Sequence, residues 1–509
     1  MDILRNVRRY ADEQGDRVVY HTDEENMTYA GLDLWSDLLA AYLIKEAPGA
    51  ETPVVVYGHK HPLMLVCFLA SVKAGRAYCP VDTSTPEERI RDIIGVTETT
   101  NVFCTEEACS VLPEDRTLFR KDLLRILASG GERAGTDTWV KPEDVFYIIF
   151  TSGSTGKPKG VEISCRSLYN YAGWAVSMLP DRNEGTAFRF LNQAPFSFDL
   201  SVMDLYLCLA TGGTLFPMTR EVQNSYSLLF KSLAGADPQV WVSTPSFADV
   251  CLADPGFCSA LMPSLQVFLF CGERLTNRTA GKLLERFPGA RVMNTYGPTE
   301  STVCMTETQI TEKTVREESP LPVGRPRSGS RIHILQADGS EAPDGMPGEI
   351  LITGDTLAEG YFHAPDLTEK AFVTIPEDGQ QVRAYRTGDE GYLKDGMLYY
   401  NGRLDLQIKL HGYRIELGDI EDNFLHLPDV EQVCVVTKER EGIVQSIHAF
   451  AVMQGGIPAD ERKTARELRD QLKTYLPAYM IPKKIHFLGQ IPVTGNGKAD
   501  RRCLKEMLS

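Results

Sequence analysis

The chain has 509 residues, too many for one hydrophobic core, so two or three packed domains are expected. Its 43% apolar and 24% charged content sits near globular averages and excludes a disordered or fibrous chain. With 53 Lys and Arg against 69 Asp and Glu the formal charge is −16, which argues against a broad nucleic-acid footprint or an anionic membrane surface as the main partner.

Residues 1–16 hold Asp2, Arg5, Arg8 and Arg9 but no apolar run, so they read as an ordinary helix and not as a secretory leader. The apolar stretch Pro62 to Ala70 meets Lys73 and Arg76 well short of the ~20 residues a membrane span needs, and a cytoplasmic location is expected. Strand-like runs at Pro53 to Tyr57, Val145 to Phe150 and Val267 to Cys271 alternate with helical-period stretches at Pro86 to Ile94 and Ala280 to Phe287, which predicts a mixed α/β fold. No internal repeat or low-complexity tract interrupts them. The 12 cysteines show no C-x-x-C pair and no Cys/His zinc spacing, so they are expected to be reduced and mostly buried, without structural metal. From Gly388 the character changes, with short strands at Gly391 to Leu393 and Met397 to Asn401 and charged helices from Leu417 and Ala465. A boundary at Asp405 is predicted, dividing the chain into domains 1–404 and 405–509, the second small enough to move as a unit.

Thr151 to Gly160 read TSGSTGKPKG directly after the strand Val145 to Phe150. Gly153 and Gly156 let the backbone turn its N–H groups on to a phosphate. Thr151, Ser152, Ser154 and Thr155 add hydroxyl donors and Lys157 adds charge, so a phosphate loop is predicted. It is not a Walker A loop, because Pro158 stands where Ser or Thr is needed, nor a nucleophile elbow, because Ser152 stands where the first glycine of G-x-S-x-G belongs. Farther on come NTYGPTE (Asn294 to Glu300), YRTGD (Tyr385 to Asp389), NGRLDLQIKLHGYRIE (Asn401 to Glu416) and IPVTGNGKADR (Ile491 to Arg501). Taken singly, Thr-Gly-Asp reads as well as a plain turn, and Tyr-Gly-Pro-Thr-Glu as a turn leading into a capped helix.

In order and spacing these segments resemble the motifs of the adenylate-forming superfamily, which includes acyl-CoA synthetases, firefly-type luciferases and amino-acid adenylation domains. The resemblance implies a large N-terminal adenylate-forming domain, a small mobile α+β C-terminal domain, and the use of ATP with Mg²⁺. It implies that residues 151–157 hold the phosphates and that Asn294, Thr295, Tyr296, Gly297, Pro298 and Thr299 hold adenine and the α-phosphate. Glu300 is then a magnesium ligand and Asp389 the group that grips the ribose hydroxyls, with Tyr400, Asn401, Gly402 and Arg403 beside the nucleotide. Asp405 is implied to be a hinge, and Lys498 the catalytic lysine that reaches both ATP and substrate. The chemistry agrees independently: a carboxylate accepts two hydrogen bonds from a vicinal diol and is a hard oxygen ligand for Mg²⁺. An ammonium on a long stem can bridge an attacking carboxylate and a phosphate.

NQAPFSFDLSVMD runs from Asn192 to Asp204, and its Asp199 matches the aspartate that amino-acid adenylation domains pair with the substrate's ammonium. A buried carboxylate calls for such a cation; the alternative is an Asp that caps the helix starting near Ser201. FLFCGE, Phe268 to Glu273, has Cys271 where glycine is usual in peptide synthetases, which narrows the side-chain pocket unless the thiol is plain core packing. With these segments the chain closely resembles the members of the superfamily that charge a carrier protein with D-alanine for teichoic acid D-alanylation. That resemblance implies D-alanine among Asp199, Cys271 and Val303, with Lys498 also touching it. It further implies a phosphopantetheinylated carrier acting in trans, since no carrier segment follows before Ser509. Another small amino acid, an acyl-CoA synthetase reaction and a degenerate nucleotide sensor stay open as alternatives.

Overall fold

Val54–Tyr57, Val145–Thr151 and Val267–Phe270 are strands because runs of β-branched and aromatic residues pack well on a pleated surface. Glu87–Thr97 and Asn277–Arg286 are helices between such strands, and the mixed α/β expectation holds. The structure, a computed structural model, describes residues 1–47, 49–152, 158–181, 187–404, 406–427, 429–440, 442–493 and 499–508. Two compact units result. The first comprises residues 1–83, 97–149 and 160–404, and the second residues 84–96, 150–159 and 405–509. The second unit therefore takes in two segments from the expected first domain, so the units are not two continuous stretches of chain.

The first unit contains a nine-stranded, a seven-stranded and a five-stranded sheet. In the nine-stranded sheet Arg189–Asn192 lies between Thr214–Pro217 on one side and Val240–Ser243 on the other, all parallel, and Val267–Phe270 and Arg291–Tyr296 continue outward from Val240–Ser243. The chain thus leaves Arg189–Asn192 toward one edge and returns to build the other, a switch point at whose carboxyl ends ligands of open α/β sheets bind. The helix Leu200–Thr211, apolar almost all round, is buried along its whole length. It packs on the nine-stranded sheet, while its Tyr206 meets Tyr78 and Phe146 of the seven-stranded one. Pro62–Lys73 is also wholly buried, and its last residue shows why a lysine can be: Lys73 Nζ lies 2.8 Å from Asp33 and 2.7 Å from Asp37. The expected short strand at Gly391 belongs to a longer one, Gln380–Lys394, which pairs with Met397–Arg403 in the five-stranded sheet.

The second unit holds the hairpin Gln407–Leu410 and Tyr413–Glu416, the helix Leu417–Leu425, and a three-stranded sheet of Val430–Arg440, Ile443–Met453 and Lys484–Phe487. It has its own core, in which Ile420, Phe424, Val435, Ile447 and Leu472 are buried together. All 12 cysteines are free, and only Cys109, Cys258 and Cys503 are not fully buried. Among the described residues no helix is long and apolar enough to cross a membrane.

Candidate active site

The loops leaving the carboxyl ends of the parallel strands carry several of the predicted residues of the first unit. Asp199 follows Arg189–Asn192, Cys271 follows Val267–Phe270, and residues 297–303 follow Arg291–Tyr296. Asp199 stands at the cap position of Leu200–Thr211, yet its side chain makes no capping hydrogen bond. Its Oδ2 instead accepts from the Thr299 hydroxyl at 2.6 Å, so helix capping does not account for this carboxylate. Cys271, 3% exposed, donates its thiol to the Val303 carbonyl at 3.5 Å. The contact joins two of the predicted pocket residues. Asp199 ties to the same loop through Thr299, a link across 100 positions that no local pattern announces.

That loop is unusual in its backbone. Thr302 and Val303 have φ of 60° and 68°, the left-handed region that β-branched side chains avoid. Such strain persists only where the surroundings hold it. Here Thr302 donates its hydroxyl to the Thr356 carbonyl at 2.7 Å, Ala358 N–H donates to the Glu300 carbonyl at 2.8 Å, and Met305 N–H to the Tyr296 carbonyl at 2.8 Å. Asn294 and Thr295, both buried, bond to the carbonyls of Pro322 and Phe270 at 2.8 Å each. These two side chains brace the strand end below the loop.

A second group gathers around Asp389, which is 2% exposed. Tyr296 donates to its Oδ2 at 2.6 Å and Arg403 to its Oδ1 at 3.0 Å, while Arg403 also reaches the Thr387 carbonyl at 2.7 Å. The Tyr400 ring lies 5.7 Å from that of Tyr296. The strand register sets Asp389 opposite Arg403, so the Tyr-Arg-Thr-Gly-Asp and Asn-Gly-Arg segments meet as neighbours in one sheet. A carboxylate offers about four acceptor positions, which leaves Asp389 room for a diol. Asn401 is exposed, with its amide 3.5 Å from Glu390, and Gly402 has a φ of 144°.

Glu300 is fully buried and accepts from the Tyr361 hydroxyl at 2.7 Å. No group of three or more His, Cys, Asp or Glu that could hold a metal occurs among the described residues. A hard cation here would take Glu300 as its protein oxygen ligand and draw the others from phosphate and water, which suits the chemistry of Mg²⁺.

In the second unit the Ser152 hydroxyl donates to the Arg414 carbonyl at 2.8 Å. The Thr151 hydroxyl is buried with no hydrogen-bond partner among the described residues. An orphan hydroxyl at the start of a Gly-rich loop fits a polar ligand. Gly153, Ser154, Thr155, Gly156, Lys157, Asp405 and Lys498 lie outside the described residues. Sequence reasoning missed Tyr361, whose hydroxyl meets Glu300 across 61 positions and which no local pattern marks.

Comparison with known proteins bears on the family and the fold. A family model described as AMP-binding enzyme matches residues 7–362, and one described as AMP-binding enzyme C-terminal domain matches residues 419–498. The chain is 43% identical over 506 residues to a D-alanine--D-alanyl carrier protein ligase of Bacillus licheniformis, covering 99% of each chain. It is 42% identical to one of Listeria welshimeri, covering 99% of this chain and 98% of the relative. Among solved structures, holo-PA1221, an NRPS protein with adenylation and PCP domains, superposes with a TM-score of 0.81 at 24% identity over 99% of this chain and 84% of that one. The Vibrio cholerae adenylation domain AlmE, in complex with glycyl-adenosine-5'-phosphate, gives a TM-score of 0.79 at 22% identity over 100% and 97%. At those identities the two structures bear on the fold alone.

Proposed function

The chain belongs to the family of AMP-binding enzymes, and from that premise we propose that it is a ligase that activates D-alanine with ATP and passes it to the phosphopantetheine thiol of a carrier protein. The observation that carries this reading is the 43% identity, over 99% of both chains, to relatives bearing that name. The site supports it, because a small amino acid needs one anion for its ammonium and little room for its side chain. Asp199, seated on Thr299, and the Cys271–Val303 contact offer both.

In the first step a carboxylate oxygen of the amino acid attacks the α-phosphorus of ATP. A P–O bond forms, the bond to the β-phosphate oxygen breaks, and pyrophosphate leaves. Asp199 holds the ammonium, Asp389 the ribose hydroxyls, the loop from Thr151 to Lys157 the phosphates, and Lys498 the negative charge spreading between nucleophile and phosphorus. Mg²⁺, held by Glu300 and phosphate oxygens, adds charge neutralisation when bound. In the second step the carrier thiol sulfur, having given up its proton, attacks the acyl carbon and AMP leaves as the C–O bond breaks. No side chain is acylated. A turn of residues 405–509 about Asp405 withdraws Lys498 between the steps, so one cleft serves two reactions. The acylated carrier then feeds D-alanylation of teichoic acids.

The test is amino-acid-dependent ATP:pyrophosphate exchange with D-alanine, L-alanine, glycine and D-serine, followed by acyl transfer to a phosphopantetheinylated carrier or to coenzyme A. Preference for D-alanine and for the carrier is expected. Exchange that favours another acid overturns the substrate, and exchange with none overturns the reaction. In the same assay Lys498→Ala is expected to slow exchange by about a hundredfold or more, the loss that follows removal of a charge aimed at the transition state.

A further inference from the structure

The helix Leu200–Thr211 carries one charged residue, Asp204, and buries it completely. Its Oδ2 has no hydrogen-bond partner among the described residues, and burial pushes the carboxyl well above its ordinary range against the pull of Lys60. An apolar side chain of similar volume is often no less stable in such a place, so stability does not account for the carboxylate. Its Oδ1 does have a partner, the side-chain amide of Asn192, 2.9 Å away.

Asn192, also fully buried, ends the strand Arg189–Asn192. Its Nδ2 donates to Asp204 Oδ1 and, at 3.2 Å, to the Ala194 carbonyl. Lys60 Nζ stands on the other side, donating at 2.7 Å to Asn192 Oδ1 and at 2.7 Å to the Asn192 backbone carbonyl. An ammonium has donors only, so it fixes which way the amide faces. Lys60 is itself held, its carbonyl accepting from the Tyr20 hydroxyl at 2.7 Å. One side chain thus ties an arc of chain at both ends, for Ala194 lies five positions before Asp199 and Asp204 five after. Within the arc Phe198 N–H donates to the Pro195 carbonyl at 3.0 Å, Ser201 N–H to the Phe198 carbonyl at 3.0 Å and Val202 N–H to the Asp199 carbonyl at 2.9 Å. Asp199 stands at the midpoint, with hydrogen-bonded turns running toward both ties.

We propose that Asn192, oriented by Lys60 and bonded to Ala194 and Asp204, is a positioning residue that fixes where Asp199 presents its carboxylate to the ammonium group of the amino acid. The inference rests on the reading of Asp199 as the ammonium anchor. Thr299 orients that carboxylate at its tip, and the Asn192 amide fixes the backbone that carries it. A site that must hold a small amino acid has few other contacts with which to correct a displaced anchor, so a shift of the arc weakens amino-acid binding before it touches the nucleotide.

The experiment measures ATP:pyrophosphate exchange by the full chain, with whichever amino acid the wild type exchanges best, in Asp204→Ala and Asp204→Asn. Asp204→Ala cuts one tie to Asn192, and its KM for the amino acid is expected to rise about tenfold, with KM for ATP and the maximal rate within about twofold of wild type. Asp204→Asn keeps an oxygen for the Asn192 amide and is expected to hold both KM values within about twofold of wild type. Should Asp204→Ala not fold, Asp204→Val, which fills the space without an acceptor, carries the same expectations. An unchanged amino-acid KM overturns the proposal. So does an equal rise in both KM values, which marks a structural role, or an Asp204→Asn variant as impaired as Asp204→Ala, which marks a role for the charge and not for the tie. Failure of the anchor reading shows separately, as an Asp199→Asn variant whose amino-acid KM matches that of the wild type.

Discussion

Glu300 is a carboxylate with none of its surface in water, oriented by a 2.7 Å hydrogen bond from Tyr361. Tyr361→Phe keeps the ring and removes that donor. Stability is expected to fall by about 1–3 kcal/mol, the usual effect of stripping a buried polar group of a partner, measured as a drop of a few degrees in melting temperature. The Mg²⁺ concentration that gives half-maximal exchange is expected to rise in the same variant, because the oxygen that would hold the cation is no longer steered. For Cys271 we propose an effect of volume. Its thiol fills space beside Val303, and Cys271→Gly is expected to raise exchange with D-serine relative to D-alanine by roughly tenfold, the discrimination one small group commonly provides. An unchanged ratio in a substrate panel would assign the thiol to packing alone.

The loop after Arg291–Tyr296 decides more than any single side chain on it. A Cβ added at Gly297 would sit 2.4 Å from the Cys304 Cα, a backbone atom that cannot step aside. Five residues beyond Gly297, Thr302 and Val303 take up their left-handed conformations. The loop therefore closes on itself, and the glycine is required by this approach and not by its own dihedrals. Gly297→Ala is expected to abolish measurable exchange and to lower the melting temperature by several degrees, since the clash must open the loop that seats Thr299 on Asp199. Calorimetry alongside the exchange assay checks both effects. The sheet formed by Gln380–Lys394 and Met397–Arg403 plays a comparable part for Asp389, whose neighbour Arg403 arrives by strand register.

Across the molecule, each unit has a core of its own, and the second carries a histidine pair from which a pH dependence of stability is expected. His448 and His486 stack at 5.4 Å on adjacent strands, with His448 Nδ1 3.1 Å from His486 Nε2. Burial, then the charge of His486 and nearby lysines, pulls His448 down to about 4. Between that value and its ordinary one near 6.5 the unfolded chain binds more protons than the native one, so stability is retained above pH 6.5 and lost as pH falls toward 4. His448→Gln is expected to flatten that loss in a series of melting curves from pH 7 to 4, and an unaltered pH dependence would mean the pair is not responsible. Much of this architecture is legible in the chain itself. Strand and helix identity follow from apolar period, and the Gly-rich loop at 151–160 and the carboxylates Asp199, Glu300 and Asp389 stand out because each motif is a short contiguous stretch. By contrast, Thr299 on Asp199, Tyr361 on Glu300 and Arg403 on Asp389 arise between segments 14 to 100 positions apart. The sequence by itself determined which chemical groups the protein possesses and in which order they come, because local period and motif are written along the chain. Only the tertiary structure decided which of those groups touch and which polar atoms lose water, because contact and burial depend on strand order, register and loop closure.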